Sequence, residues 1–167
     1  MTHRIQRSAL LPYSAEQIFD LVDQVERYPE FVPGVIGCEV HSRNAELLVA
    51  SLKLRRMGVQ FVIRTRNQRF PHERLVMNLE DGPFRSFRAE WRFRSLLPAA
   101  GTSAARSGSG AHTAPVAGFA GVKVEFDAEF ELARMPFSRM AGTLVDGVTG
   151  NLVDAFRKRA INVYGAA

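Results

Sequence analysis

The sequence predicts an α+β fold in which one curved antiparallel sheet of about seven strands wraps on a long C-terminal helix. Three observations predict it. A strand and a short amphipathic helix open the chain, a two-residue alternation of apolar and polar side chains fills most of the middle, and a helical period returns at the end. A sheet with a single apolar face has to bury that face, and the terminal helix is the cover available.

Size and composition set the frame. The chain has 167 residues, of which 46% are hydrophobic, and a chain of that length buries roughly two thirds of its unfolded surface as one domain. Residues 1–167 are therefore expected to share a single core. No run of 18 apolar residues occurs, and MTHRIQRSALLPYSAEQ lacks a signal-peptide h-region. The expected location is cytoplasmic, at most peripheral to the inner membrane. With one cysteine, Cys38, an internal disulfide and a cysteine metal cluster are excluded. His3, His41, His72 and His112 show no ligand spacing, so no metal is expected. Cys38 reads as a small, half-buried hydrophobe.

The elements follow in order. Thr2 to Leu11 reads as a strand closed by Pro12. Ser14 and Gln17 form an S-x-x-Q capping box, after which Ile18, Leu21, Val22 and Val25 recur at helical spacing. Next comes ERYPEFVPG, Glu26 to Gly34. Its prolines fix φ and push the preceding residues out of the α region, so a stiff, shaped connection carrying Tyr28, Phe31 and Val32 is expected.

From there the period is two. Leu48, Ala50, Leu52 and Leu54 share one face, as do Val59, Phe61 and Ile63, then Leu75, Met77 and Leu79. In SFRAEWRFRS, Phe87, Ala89, Trp91 and Phe93 oppose Arg88, Glu90, Arg92 and Arg94. In VKVEFDAEFEL, Val122 to Leu132 alternate with Lys123, Glu125, Asp127, Glu129 and Glu131. Between these two strands, PAAGTSAARSGSGAHTAPVAGFAG at about 98–121 is too poor in large apolar residues to offset the entropy of ordering, and is expected to be an elongated, flexible hairpin insertion. Ser138 to Tyr164 reads as one helix on the order of 40 Å long. Its apolar stripe is Ala141, Leu144, Val145, Val148, Leu152, Ala155, Phe156 and Val163.

The net charge of +5 and isoelectric point near 10.0 invite a nucleic-acid reading. Between Arg55 and Arg106 stand eleven arginines against four acidic residues. Many alternate along strands, where they form the solvent face, and a pairing of the Arg-rich strand with the acidic one would neutralise part of the excess. Arg55, Arg56, Arg64, Arg66, Arg88 and Arg92 are the candidates for an RNA or anionic membrane surface.

A strongly curved sheet and a straight helix do not fit flush, which makes this a helix-grip architecture. The gap between them either fills with side chains or remains as an apolar pocket of the kind that holds ligands. At this point the residues resemble a known family. ALLPYSAEQIFDLVDQVERYPEFVPG, NLEDGPFRSFRAEWRF, VEFDAEFE and LVDAFRKRAINVYG, in that order, are similar to the coenzyme Q-binding, polyketide-cyclase-like branch of the START-related proteins, with the Bet v 1-like fold. That branch includes the bacterial ribosome-association toxin family. The resemblance covers nearly the whole chain outside 98–121. It implies binding of ubiquinone or a similar isoprenoid lipid between sheet and helix, in support of respiratory electron transport. It also implies the alternative of binding the large ribosomal subunit and blocking subunit association.

On this reading Tyr28, Phe31, Val32 and Pro33 form one lip of a cavity, and Gly82, Pro83 and Phe84 another. Leu52, Phe61, Met77 and Trp91 supply the sheet wall, and Val145, Val148, Leu152 and Phe156 the helical wall. An enzyme is not expected, because general acid–base work needs a polar group inside the pocket and the inward faces carry almost none. Asp81, Glu90 and Asp127 are candidates only by exclusion. A monomeric carrier with no cofactor, holding a hydrophobic quinone, is the expectation.

Overall fold

The computed structural model describes residues 2–96, 121–133, 147 and 149–166. The expected insertion, the first part of the C-terminal helix, Val145 and Val148 lie outside the described residues, apart from Gly121.

Seven strands build one antiparallel sheet: β1 (Thr2–Leu11), β2 (Val35–Arg43), β3 (Leu47–Arg56), β4 (Val59–Phe70), β5 (Arg74–Asp81), β6 (Phe84–Leu96) and β7 (Gly121–Leu132), ordered β1-β7-β6-β5-β4-β3-β2. β1 and β2 therefore lie on opposite edges, and the segment joining them must cross the sheet. It does so through α1 (Ala15–Asp23), a 3₁₀ turn (Val25–Arg27) and α2 (Tyr28–Phe31). Register shifts interrupt the pairings β2–β3, β4–β5 and β6–β7, and such bulges bend a sheet toward its concave side.

The predicted alternation places the core. Leu48, Ala50, Leu75, Ala89, Trp91, Val122, Val124, Ala128 and Phe130 are all 2% exposed or less. α1 begins with the expected capping box: Ser14 Oγ accepts from the Gln17 backbone, and Gln17 Oε1 accepts from the Ser14 backbone. Of the two expectations about residues ahead of proline, one is corrected and one holds. Tyr28, the residue before Pro29, is αR at φ −55° and ψ −37°, because Pro29 occupies the first turn of α2, where its missing N–H costs nothing. Val32, ahead of Pro33, is extended as predicted, at φ −86° and ψ 116°.

The C-terminal helix is also interrupted. Gly147, Thr149 and Gly150 are helical, but Asn151 is a turn at φ −110° and ψ 9°, and α3 runs from Leu152 to Tyr164. Glycine and asparagine are weak helix formers, and here they are adjacent. α3 buries Leu152, Ala155, Phe156 and Ala160, whereas Val163 is 50% exposed. Val163 thus leaves the predicted stripe, and the chain end is held by polar contacts to α1 and to Tyr13 ahead of it. Tyr164 Oη donates to Gln17 O at 3.0 Å, and Tyr13 Oη donates to Gly165 O at 2.7 Å.

Candidate functional site: an apolar cavity and a cationic outer face

Between the concave face of the sheet, α2 and the start of α3 lies a cavity of about 110 Å³. β3 and β4 contribute Leu52, Leu54, Phe61, Ile63 and Thr65; β5 and β6 contribute Met77, Phe84, Phe87, Ala89 and Trp91. Phe126 and Ala128 come from β7, Val35 from the start of β2, Tyr28 and Val32 from the crossing segment and its end, and Thr149 and Leu152 from the helical side. The gap is therefore neither solidly filled nor large. Among the described residues no carboxylate, imidazole or cation lines it, and no cluster of three or more His, Cys, Asp or Glu is placed to hold a metal.

Of the residues singled out from the sequence, Tyr28, Val32, Leu52, Phe61, Met77, Phe84, Trp91 and Leu152 meet in this lining. Phe31, Pro33, Pro83 and Phe156 stand apart from it. Pro33 and Pro83 face solvent, while the rings of Phe31 and Phe156 pack edge-on with centroids 5.1 Å apart. Phe31 is further capped by the Arg159 guanidinium, 5.1 Å from its centroid. Gly82 is outside the lining too, but approaches the backbone of Ile63, which lines the cavity. Its φ of 151° lies at the margin of the region that favours glycine, and a Cβ there would stand 3.4 Å from Ile63 Cα.

Tyr28 is only half available. Its ring lines the cavity, but its hydroxyl donates to Val22 O, a carbonyl at the end of α1 that the helix itself leaves unpaired. Burial pushes the phenol well above its ordinary pKa, so it stays protonated as a donor. Tyr28→Phe is expected to lower the unfolding free energy by about 1–2 kcal/mol, the cost of orphaning that carbonyl. A urea titration checks this. Cys38 is half-buried and lies outside the cavity lining, and burial raises its thiol to about 11.

The sequence reading passed over Val35, Thr65, Asn67 and Thr149, and placed Leu54, Ile63, Phe87, Ala89, Phe126 and Ala128 on apolar strand faces without assigning them to the cavity. Extending the alternation of VQFVIRTRNQ past Ile63 turns Thr65 and Asn67 inward, which is the signal that finds them. Thr65 is 2% and Asn67 0% exposed.

On the convex face the arginines sort into two groups. β6 and β7 pair in a register that sets Arg88 opposite Glu129, Glu90 opposite Asp127 and Arg92 opposite Glu125. Within this patch Arg88 reaches Glu90 at 3.1 Å, Arg94 reaches Glu125 at 3.6 Å and Arg92 reaches it at 4.0 Å. Arg4 from β1 holds Asp127 at 2.6 Å, and its guanidinium keeps that carboxyl below the usual range. Glu90 and Asp127 are thus paired surface charges. Arg66 is paired as well, with Glu80 at 2.9 Å. Lys53, Arg55 and Arg64 on β3 and β4 have no carboxylate partner among the described residues. Arg64 reaches only Ser51 Oγ, at 3.4 Å. Arg56 is occupied differently: a Cβ built on Gly147 would stand 1.6 Å from its Nη1, so the guanidinium lies against the helical backbone. Beside this cluster the β3–β4 turn holds Met57 at φ 49°, 79% exposed.

A seven-stranded antiparallel sheet gripping a C-terminal helix around an apolar hollow is a START/Bet v 1-like, helix-grip fold. The chain belongs to the polyketide cyclase / dehydrase and lipid transport family, whose pattern matches residues 11–157. Among its relatives, the ribosome association toxin RatA of Vibrio cholerae serotype O1 (strain ATCC 39541) is 36% identical over 97% of this chain and 98% of that one. RatA of Escherichia coli (strain K12) is 31% identical over 98% of this chain and 90% of that one. In fold, the Zhui aromatase/cyclase from Streptomyces sp. R1128 superposes with a TM-score of 0.73 at 11% identity, covering 100% of both chains.

Proposed function

We propose that this protein binds the large ribosomal subunit through the cationic part of its convex face and so blocks subunit association, as a cytoplasmic monomer that performs no catalysis. Relatives that match nearly end to end and carry the name ribosome association toxin support the reading. The observation that carries it on the molecule is the group Lys53, Arg55 and Arg64, none of which makes an ion pair among the described residues, although Asp81 faces Arg64 across the β4–β5 register. Arg66, Arg88 and Arg92 are secondary, since each has a carboxylate to leave before it can meet a phosphate. Phosphate contacts release counterions, so affinity falls steeply with salt. Co-sedimentation with purified large subunits across a salt series tests this. Binding is expected at low salt, with a loss of about tenfold in affinity and a shallower salt slope when Lys53, Arg55 and Arg64 are replaced together by alanine. A wild-type protein that stays in the supernatant at low salt sinks the proposal.

The cavity supports a second reading, carriage of a hydrophobic ligand such as ubiquinone or another isoprenoid lipid. Its size restricts how. At about 110 Å³ it is smaller than ordinary drug-sized sites of roughly 300–1,000 Å³. A volume of that size accepts a ring but not a whole prenyl tail, which would have to extend outside the cavity. Solvent extraction of the purified protein followed by mass spectrometry identifies what it carries, and a clean extract removes this reading.

A further inference from the structure

Asn67 is fully buried, and neither its side-chain oxygen nor its nitrogen has a hydrogen-bond partner among the described residues. Buried polar groups are almost always satisfied, so an orphaned amide in a core asks for a partner that arrives from outside the chain. Its position says from where. Asn67 lies on the inward face of β4, two residues beyond Thr65, roughly 7 Å along the strand. On the neighbouring strand it stands opposite Met77, and directly opposed side chains on one face are roughly 5 Å apart. Thr65 and Met77 both line the cavity. The amide thus sits one side chain past the cavity wall, behind a flexible thioether that can change rotamer without a large cost.

We propose that Asn67 is the polar end of the ligand site, and that the cavity selects a compact neutral ring carrying one carbonyl or hydroxyl oxygen. The inference rests on the cavity being a ligand site, the second reading above. The ring enters oxygen first and lies against Trp91, Phe126 and Phe84. Met77 moves aside, and the oxygen meets the Asn67 amide with the Thr65 hydroxyl beside it. An amide both donates and accepts, so it serves a ketone, a quinone or a phenol equally. Charged head groups are rejected, because no counter-charge lines the cavity among the described residues and an unpaired ion in such a site is strongly disfavoured. A hydrocarbon of the same shape fits, but leaves Asn67 as it is.

Phenol and toluene form the test pair, since they differ only by hydroxyl for methyl. The readout is built in: Trp91 is the chain's single tryptophan, so its indole N–H gives one NMR signal from the cavity wall. Both compounds are expected to shift that signal, and phenol alone to shift the side-chain amide signals of Asn67. In Asn67→Leu the phenol-to-toluene affinity ratio is expected to fall about tenfold, the worth of a buried hydrogen bond. If neither compound moves the Trp91 signal, the cavity is not a ligand site and the reading beneath this one fails. If both bind, with Asn67 signals unmoved by phenol and the ratio unchanged in Asn67→Leu, the cavity reading stands and this inference is overturned. Should Asn67→Leu not fold, the amide signals of the wild-type protein decide alone.

Discussion

Replacing Arg69 with alanine is expected to lower the unfolding free energy by about 3–5 kcal/mol, the loss seen when one member of a buried ion pair is removed. Arg69 projects from the end of β4 and grips the carboxylate of Asp23 with a two-pronged fork, Nε to Oδ1 at 2.8 Å and Nη2 to Oδ2 at 2.6 Å. Its side chain is 16% and that of Asp23 11% exposed, so water screens the pair little. The third prong reaches the Asn44 carbonyl in the β2–β3 connection. One guanidinium therefore ties the end of α1 and the β2–β3 connection to the end of β4, and without it a buried carboxylate is stranded. Arg69→Lys is expected to keep only part of the stability, because a point charge cannot make the parallel bonds of a fork. The double variant Asp23→Leu with Arg69→Met is expected to recover most of the loss, since no charge is then left buried. Urea titrations of the three variants check the ordering. A loss below about 1 kcal/mol for Arg69→Ala contradicts a buried pair and fits an exposed one.

Arg69 also marks what one-dimensional reading misses. From the sequence its parity sets it apart from Arg64 and Arg66, on the inward series of Thr65 and Asn67, but nothing local names its partner, which lies 46 positions away. The alternation around it is legible, since a half-buried sheet must show polar and apolar faces with period two whatever its neighbours are. Strand faces could be read for that reason, the first helix from its capping box, and α3 from its 3.6-residue period. The helical start at Tyr28 could not. Proline's bias against α in the preceding residue is outweighed here by the ring packing of Tyr28 on Phe31 and Phe156, with centroids 5.9 and 5.4 Å away.

The cavity was legible in outline and blurred at its ends for a related reason. Leu52, Phe61, Met77 and Trp91 follow from strand parity and line the hollow. Phe31 and Phe156 are equally apolar and close by, yet they satisfy each other and leave the space to smaller neighbours such as Ala89 and Ala128. Where two large rings face each other across an interface, periodicity shows that both are buried and says nothing about which one borders a void. The inward polar pair Thr65 and Asn67 was readable by parity alone, but the arginines between them draw attention to the opposite face.

Phe156→Ala is expected to cost about 3–5 kcal/mol, the range for emptying a buried aromatic site. Phe156 is 1% exposed and stands at the junction of three layers. Its ring meets Trp91 of the sheet with centroids 5.1 Å apart, Tyr28 of α2 at 5.4 Å and Phe31 of α2 at 5.1 Å. Each such contact adds to the burial term, and all are lost together. Phe156→Leu keeps part of the volume and is expected to cost markedly less. The vacated space matters beyond stability. Tyr28 and Trp91 border both the Phe156 ring and the cavity, so removing the ring joins its volume to the hollow between sheet and helix. The alanine variant is then expected to be less stable yet to bind a bulkier hydrocarbon, naphthalene, better than the wild type does, as read from the Trp91 indole signal. Unfolding and binding that both stay at wild-type levels would mean that α3 is not anchored through this side chain and that the hollow is walled elsewhere.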